Sequence, residues 1–339
     1  MKLLLHEFDL PLKHPFTIAR GTITTQPTLI VELRQDGKSG FGEATINTFY
    51  ASSMLQMKER FKQMEPEISS FSLGDPAEFW SRCNKYLNDA PFMLSALDCA
   101  AHDLWGKLED LPVHQLWELD LTNAVYSSFT IGIDTIDTMR SKLKEEPGWP
   151  VYKIKLGTKG DAQIIEALRQ DTEALFRVDA NCGWQLDEAI ALSSELSRQG
   201  VEFIEQPLAS ENKDAQDRLF HESVLPLVAD ESCVVERDVM QCVGNFHGVN
   251  IKLSKCGGLT SARRMINLAR NHGLKVMVGC MTESSVGISA AAQLAPLIDY
   301  ADLDGAVLLA EDTANGVKVD CGSLIYPDLP GCGIYDFKG

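Results

Sequence analysis

The segment VYKIKLG, residues 151–157, has the length and composition of a short buried strand. A strand inside a parallel α/β protein is usually an almost unbroken apolar run, but Lys153 and Lys155 interrupt this one. Residues two apart on a strand point to the same face, so the two ammonium groups emerge side by side. The segment therefore predicts a buried strand that brings two positive charges to one place.

Segments of the same kind recur from about residue 124 onward. Eight apolar strand candidates alternate with helical stretches: SSFTIGI, VYKIKL, LFRVDAN, VEFIEQP, LPLVADES, GVNIKLS, LKVMVGCM and YADLDG. Eight strand–helix units are the count of a (β/α)8 barrel, although the last unit has no obvious long helix. A doubly wound sheet is the alternative, but TIGIDT is not the Gly-rich phosphate loop that it needs. We therefore predict a modified (β/α)8-type barrel with a short last helix over residues 119–312.

The segments on either side of the barrel differ from it in kind. PTLIVELRQDGKSGFGEATI (27–46) predicts a hairpin that turns at QDGKSG, and amphipathic helical patterns follow over 53–66 and 75–88. Strands followed by helices are typical of a separate α+β domain, which we expect to form a cap over residues 1–118. The Gly- and Pro-rich segment 313–339 is expected to pack back on that capping domain.

Composition and charge exclude several classes of partner. The formal net charge of −17 argues against nucleic acid or an anionic membrane, since both require basic patches. Nine scattered cysteines without a CxxC pair favour reduced thiols over disulfides or a cysteine zinc site. No segment approaches transmembrane length, and MKLLLHEFDL does not start a signal peptide. We expect a cytoplasmic protein with a small-molecule substrate, and leave a homo-oligomeric state open.

Charged residues interrupt successive strand candidates near their C-terminal ends, at intervals of 22 to 26 residues. They are Lys155, Asp179, Glu205, Asp230 and Lys252, followed by Asp302 and Asp304 on the eighth strand. In a barrel these ends form the active-site face. Carboxylates buried together without a partner would cost several kcal/mol each, and a divalent cation removes that cost. All-oxygen ligands favour Mg²⁺ (or Mn²⁺) over zinc, so Asp179, Glu205 and Asp230 are the predicted metal ligands.

Two of the lysines are candidates for acid/base chemistry. Lys155 and Lys252 lie on strands two and six, which face each other across an eight-stranded ring. A lysine acts as a general base when its pKa is lowered, as burial beside a second cation and a metal would do. Lys153 is that second cation, and it either contacts the substrate carboxylate or forms a structural ion bridge to the acids. Lys255, past the end of strand six, is an alternative base.

Two opposed bases beside a metal suit one type of reaction. One base removes a proton next to a carboxylate, the metal stabilises the charge that develops as an enediolate forms, and the other base returns a proton to the opposite face. The expected outcome is inversion of that carbon, which is racemisation or epimerisation.

The ordered set of motifs resembles a known family. KIK, VDAN, EQP, ADES and NIKLSKCGG resemble the muconate-lactonizing-enzyme subgroup of the enolase superfamily, and GFGEA and LDCAAHDLWGK resemble its capping domain. The resemblance spans nearly the whole chain. It implies an acid/base pair and a set of Mg²⁺ ligands: Lys155 and Lys252, with Asp179, Glu205 and Asp230. Asn181 and Glu231 also match family positions, in supporting roles.

The subgroup contains cycloisomerases, o-succinylbenzoate synthases, N-acylamino acid racemases and dipeptide epimerases, and the motif DLDG distinguishes between them. Asp302 and Asp304 share a strand face across the ring from Glu205, where they would bind the ammonium group of a dipeptide. This DxD motif resembles the amine-binding motif of dipeptide epimerases. Succinylbenzoates and N-acyl amino acids carry no such ammonium group. Capping of a turn by either aspartate is the structural alternative.

Residues further out are expected to form the side-chain pocket. PFTIARGT (15–22) resembles a mobile covering loop, in which Arg20 either pairs with a glutamate side chain or is an exposed hairpin arginine. Pairing would make the substrate L-Ala-D/L-Glu, a cell-wall peptide fragment. NTFY (47–50) is expected to be a second covering segment. The other substrate-binding candidates are Thr130 on the first strand, and Met281 and Thr282 at the end of the seventh.

These features together predict an Mg²⁺-dependent isomerase. It is expected to be a dipeptide epimerase that inverts the α-carbon of the C-terminal residue by two-base 1,1-proton transfer. The alternatives are an o-succinylbenzoate synthase or an N-acylamino acid racemase of the same superfamily; the synthase would not need Asp302 or Asp304. A non-catalytic binding protein on a barrel scaffold is a further alternative, but it predicts an incomplete set of metal ligands.

Overall fold

The chain begins with a three-stranded antiparallel sheet in a computed structural model that describes residues 1–339. The strands are β1 (Lys2–Ile18), β2 (Gly21–Gln35) and β3 (Lys38–Thr45), and the helices that follow are α1 (Met54–Ser69), α2 (Pro76–Leu87), α3 (Pro91–Glu109) and α4 (Val113–Leu116). The predicted hairpin at QDGKSG is confirmed, since Asp36 and Gly37 connect β2 to β3 with positive φ angles of 51° and 76°. A two-residue turn between right-twisted strands requires that conformation.

Helix α3 lies directly on this sheet because two glycines of β3 leave no side chain between the two backbones. A Cβ atom at Gly40 would overlap the carbonyl oxygen of Ala100, and one at Gly42 would overlap that of Ala96. The apolar faces of α1, α2 and α3 bury one face of the sheet in a core that includes Leu29, Val31, Leu33 and Ala44. The predicted helices over 53–66 and 75–88 are confirmed to within a few residues.

Eight parallel strands follow, each paired with the next strand of the sequence. They are β4 (Phe129–Ile131), β5 (Val151–Lys155), β6 (Leu175–Asp179), β7 (Val201–Glu205), β8 (Leu227–Ala229), β9 (Gly248–Lys252), β10 (Lys275–Gly279) and β11 (Tyr300–Asp302). A parallel bridge between Ser127 and Ala301 joins the last strand to the first. The predicted barrel is therefore confirmed, and the C-terminal ends of its strands share one rim.

Helices connect the strands on the outside of the barrel. They are α5 (Ile136–Glu145), α6 (Asp161–Arg169), α7 (Leu186–Arg198), α8 (Lys213–Glu222), α9 (Val239–Cys242), α10 (Leu253–Cys256), α11 (Leu259–Asn271) and α12 (Ser285–Ala292). None of the helices in the chain has the length and apolar content needed to cross a bilayer.

The expectation of a short helix after the eighth strand is wrong, because no helix follows β11. The backbone there pairs with β1 instead. The amide of Lys13 donates to Leu308 O at 3.0 Å, and the amide of Ala310 donates to Pro11 O at 2.8 Å. A small hairpin then closes the chain, with strands β12 (Lys318–Asp320) and β13 (Ser323–Ile325).

Buried contacts join the capping sheet, the barrel and the C-terminal segment. The Glu43 carboxylate accepts hydrogen bonds from the amides of Ser284 (3.0 Å) and Gly287 (3.1 Å), at the beginning of α12. Near the C-terminus, the Phe337 ring lies 4.5 Å from that of Phe41, between ring centroids. The C-terminal segment thus contacts the capping sheet, while the predicted domain boundaries stay a prediction.

Candidate active site

Three carboxylates meet at the C-terminal rim of the barrel. Asp179 and Glu205 end β6 and β7, Asp230 directly follows β8, and one oxygen from each lies within 4.8 Å of the others. All three side chains are buried. Beside them, Asn181 Oδ1 and Glu231 Oε2 are buried without a hydrogen-bond partner, which is expected next to the position of an ion or its water. This all-oxygen set fits Mg²⁺.

The charges of these carboxylates depend strongly on their neighbours. Burial, together with the negative charge of Asp179, raises the pKa of Glu205 to about 7. Burial alone would also raise the pKa of Asp230, but the ammonium groups of Lys252 and Lys255 hold it well below its usual range. A divalent cation between the three groups would remove the repulsion that acts on Glu205.

The two candidate bases approach the same carboxylates from opposite sides of the ring. Lys155 Nζ lies 2.6 Å from Asp179 Oδ2, and Lys252 Nζ lies 2.9 Å from Asp230 Oδ2. Strands β5 and β9 are separated by three strands in either direction. The expectation of a lowered lysine pKa is not met for Lys252: burial lowers its pKa, but the negative charges of Asp230 and Glu205 together outweigh burial and raise it.

The other two lysines are bound to protein groups beneath the rim. Lys153 Nζ lies 2.7 Å from both Glu205 Oε2 and Asp302 Oδ2, and its side chain is only 1% exposed. This arrangement favours the structural ion bridge over a contact with the substrate. Lys255 pairs with Asp230 and is fully buried, with no contact to the cavity described below. The geometry therefore does not support Lys255 as an alternative base.

The two aspartates of the DLDG motif differ in whether a cation compensates them. Asp302 accepts a hydrogen bond from Ser128 Oγ at 2.7 Å and pairs with Lys153 at 2.7 Å. Asp304 accepts hydrogen bonds from the amide (2.6 Å) and the hydroxyl (3.3 Å) of Thr130, and has no cationic partner. Burial and the nearby Asp302 charge raise the pKa of Asp304 to about 7. Asp304 is therefore the carboxylate of this pair that has no positively charged partner in the protein.

A cavity of about 510 Å³ lies between this rim and the capping sheet. Nine of the residues predicted from the sequence line it: Arg20, Thr130, Lys155, Asp230, Lys252, Met281, Thr282, Asp302 and Asp304. The ligand candidate Asp230, two lysines and an aspartate pair thus face one space of a size that suits a small organic molecule.

The segment PFTIARGT is not a loop but the end of a β-hairpin, in which Ile18 pairs with Gly21. Arg20, at the tip, donates to Glu231 Oε1 at 2.6 Å and lies over the Phe49 ring, 4.3 Å from its centroid. Arg20 is thus a hairpin arginine that is ion-paired and keeps 30% of its side-chain surface exposed, and its contact with a substrate side chain stays a prediction.

Sequence reasoning missed two residues that orient the carboxylates. Asn250 Nδ2 donates to Glu205 Oε1 at 2.7 Å, and Gln206 Oε1 accepts the amide hydrogen of Asp230 at 3.0 Å. A signal for Asn250 was present, because it lies two residues before Lys252 on the same face of β9. Gln206 has no such signal, since it follows its strand with a positive φ angle.

Two family models match this chain. The enolase C-terminal domain-like model matches residues 137–335, and the mandelate racemase/muconate lactonizing enzyme N-terminal domain model matches residues 3–117. The L-Ala-D/L-amino acid epimerase of Flavobacterium johnsoniae is 49% identical over 334 residues, or 98% of this chain and 99% of that protein. The L-Ala-D/L-Glu epimerase of Bacteroides thetaiotaomicron is 38% identical, over 98% of this chain and 88% of that protein.

Solved structures of similar proteins have the same overall fold. A substrate-liganded complex of the L-Ala-D/L-Glu epimerase from Bacillus subtilis superposes with a TM-score of 0.92 at 26% identity, covering 98% of this chain and 99% of that one. The dipeptide epimerase of Enterococcus faecalis, complexed with Mg and L-Leu-L-Tyr, has a TM-score of 0.91 at 29% identity, with the same two coverages.

Proposed function

This chain belongs to the enolase superfamily, and we propose that it is an Mg²⁺-dependent dipeptide epimerase. It would invert the α-carbon of the C-terminal residue of its substrate. The observation that carries this proposal is the opposition of Lys155 and Lys252 across one cavity, each next to a carboxylate of the candidate metal site. The L-Ala-D/L-amino acid epimerase and the L-Ala-D/L-Glu epimerase described above match 98% of this chain over 99% and 88% of their own lengths.

The chemistry divides between the carboxylates and the lysines. Asp179, Glu205 and Asp230 would hold Mg²⁺, which stabilises the negative charge that develops on a substrate carboxylate when the adjacent proton is removed. Neutral Lys155 would accept the α-proton from one face while protonated Lys252 gives its proton to the other face. The roles reverse for the other diastereomer, so the two lysines exchange protonation states in each turnover.

The pair Asp302 and Asp304 supports a dipeptide over the other substrates of the superfamily. Lys153 already compensates Asp302, whereas Asp304 is buried and faces the cavity without a cation. A buried carboxylate of this kind gains most from an ammonium group brought by the substrate. The amine of a dipeptide supplies that group, and N-acylated substrates do not.

The side chain of the C-terminal residue would lie beneath the β1–β2 hairpin. Arg20 can exchange Glu231 for the γ-carboxylate of a glutamate, and the Phe49 ring offers an apolar surface to uncharged side chains. We therefore propose L-Ala-L-Glu as one substrate among several L-Ala dipeptides. Such peptides would come from cell-wall material, and the nine free thiols favour a reaction in the cytoplasm.

Proton NMR in D₂O tests this function directly. With enzyme and Mg²⁺, the α-proton signal of the C-terminal residue of L-Ala-L-Glu should disappear while the second diastereomer appears; metal-stripped enzyme is the control. A panel of L-Ala-L-Xaa peptides would define the side-chain range. Absence of exchange with every dipeptide, together with exchange in an N-succinyl amino acid, would contradict the proposal and favour an N-acylamino acid racemase.

A further inference from the structure

A second cavity, of about 270 Å³, lies directly beside the first. Phe16, Thr130 and Leu308 line both cavities, whereas Phe129 and Val307 line only the second. These three shared residues therefore form a wall between the two spaces. Neither the candidate metal ligands nor Lys155 and Lys252 belong to this wall, so the proton-transfer chemistry does not account for it.

The wall stands at the amine end of the site. The amide and hydroxyl of Thr130 both donate to the Asp304 carboxylate. The amide of Leu308 donates to the backbone oxygen of Asp304 at 3.3 Å. A substrate whose ammonium group is bound at Asp304 would therefore point the side chain of its N-terminal residue toward this wall.

Both domains hold the wall in position. The backbone oxygen of Leu308 accepts the Lys13 amide at 3.0 Å, so this segment is tied to β1. The β1–β2 register shifts between Pro11 and Phe16, which frees that part of β1 to contact the barrel. A Cβ atom on Gly132 would lie 3.2 Å from Phe16 Cδ2, so the ring packs closely on the backbone after β4. The wall is thus a packed structural element.

We propose that Phe16 and Leu308 determine the specificity for the N-terminal residue of the dipeptide. They admit a small side chain such as that of alanine and exclude a large apolar one from the space behind them. Phe129 and Val307 give that space an apolar surface, although charged side chains such as Lys142 and Glu146 also line it, so a leucine side chain would lie against the apolar part if the wall were cut back. This inference rests on the proposed function and adds the basis for choosing the first residue.

Truncation of the wall tests the inference. In Leu308→Ala and Phe16→Ala, kcat/KM is measured for L-Leu-L-Xaa and for L-Ala-L-Xaa, where Xaa is the C-terminal residue that the wild type turns over best. The kcat/KM for the leucyl peptide is then divided by that for the alanyl peptide. This ratio should rise by about tenfold or more, the range found for single methylene groups in apolar pockets. Val307→Ala is the matched control, because it enlarges only the second cavity and should leave the ratio within about twofold.

Each result has a defined meaning. Unchanged ratios in both wall variants would overturn the inference, as would a wild-type enzyme that turns over leucyl and alanyl dipeptides equally well. A rise as large in Val307→Ala would also overturn it. If Phe16→Ala fails to fold by circular dichroism, Leu308→Ala decides alone. A wild type that turns over no dipeptide overturns the proposed function itself, an outcome distinct from an unchanged ratio.

Discussion

Replacing Lys153 with methionine would remove a cation that touches three buried carboxylates at once. Its ammonium nitrogen lies 2.7 Å from Glu205 and Asp302 and 3.4 Å from Asp179. Methionine is an unbranched and adaptable side chain that fills the same channel without charge. The substitution therefore changes the electrostatics of the barrel interior much more than its packing.

The size of the effect follows from the burial of the ion pairs. Removing one partner of a buried pair costs about 3–5 kcal/mol, because the other charge is left uncompensated. For a chain of this length, each kcal/mol shifts the Tm by roughly 2 °C. The metal-free Lys153→Met variant should thus melt about 6–10 °C below the wild type at pH 8.

The difference should become smaller at acidic pH. Burial alone would raise the pKa of Asp302, but Lys153, with a smaller contribution from Lys155, lowers it to about 2, below the value in the unfolded chain. Stability from this pair is therefore present above the unfolded-state pKa and is lost as the pH falls toward 2. In the variant, Asp302 can take up a proton instead, so the Tm difference should be smaller at about pH 5 than at pH 8.

Thermal unfolding followed by circular dichroism measures both effects. The control is Lys275→Met, at a lysine that is 61% exposed and pairs with Asp299 at 2.9 Å. An exposed pair of this kind is worth less than about 1 kcal/mol. A Tm loss no larger than that of the control, combined with a raised KM for the dipeptide, would refute the ion-bridge account. It would show that Lys153 binds the substrate.

Two further predictions concern the proton transfer and the amine site. Lys252→Ala should slow epimerisation by about 10²–10⁴-fold, while the diastereomer whose α-proton faces Lys155 still exchanges that proton in D₂O; Lys155→Ala should show the opposite preference. NMR of each diastereomer checks this, and loss of both exchanges in either variant would contradict a two-base arrangement. The KM for dipeptides should rise as the pH falls from about 8 to 6, because burial and Asp302 raise the pKa of Asp304 to about 7 and its protonated form attracts an ammonium group weakly. Steady-state kinetics should show this dependence in the wild type and not in Asp304→Asn, and an equal dependence in both would contradict it.

The barrel and its carboxylate cluster could be predicted from the sequence because one geometric rule connects them. In a parallel barrel the C-terminal ends of all strands lie on the same rim, so charged residues at strand-end intervals must converge. Asp179, Glu205 and Asp230 obey this rule and meet within 4.8 Å. The convergence of these three residues follows from their positions on the strands and does not depend on individual side-chain conformations.

Features that depend on pairing between distant segments could not be predicted in the same way. The missing last helix results from hydrogen bonds between β1 and the segment that contains Leu308, which lie near opposite ends of the chain. The ion pair of Arg20 with Glu231 likewise joins the first hairpin to the end of β8. Local patterns contain no information on such contacts, so a loop and a short helix were the expectations.

The two lysines of VYKIKLG show which features of a side chain a strand pattern can predict and which it cannot. The pattern correctly directs both side chains into the barrel, but it does not give their depth. Two residues along a strand are roughly 6.6 Å apart. That step puts Lys155 at the level of the cavity, beside Asp179, and Lys153 beneath it among Glu205 and Asp302. This difference in depth supports the proposal that Lys155 exchanges protons with a substrate, while Lys153 on the same face holds the carboxylates together.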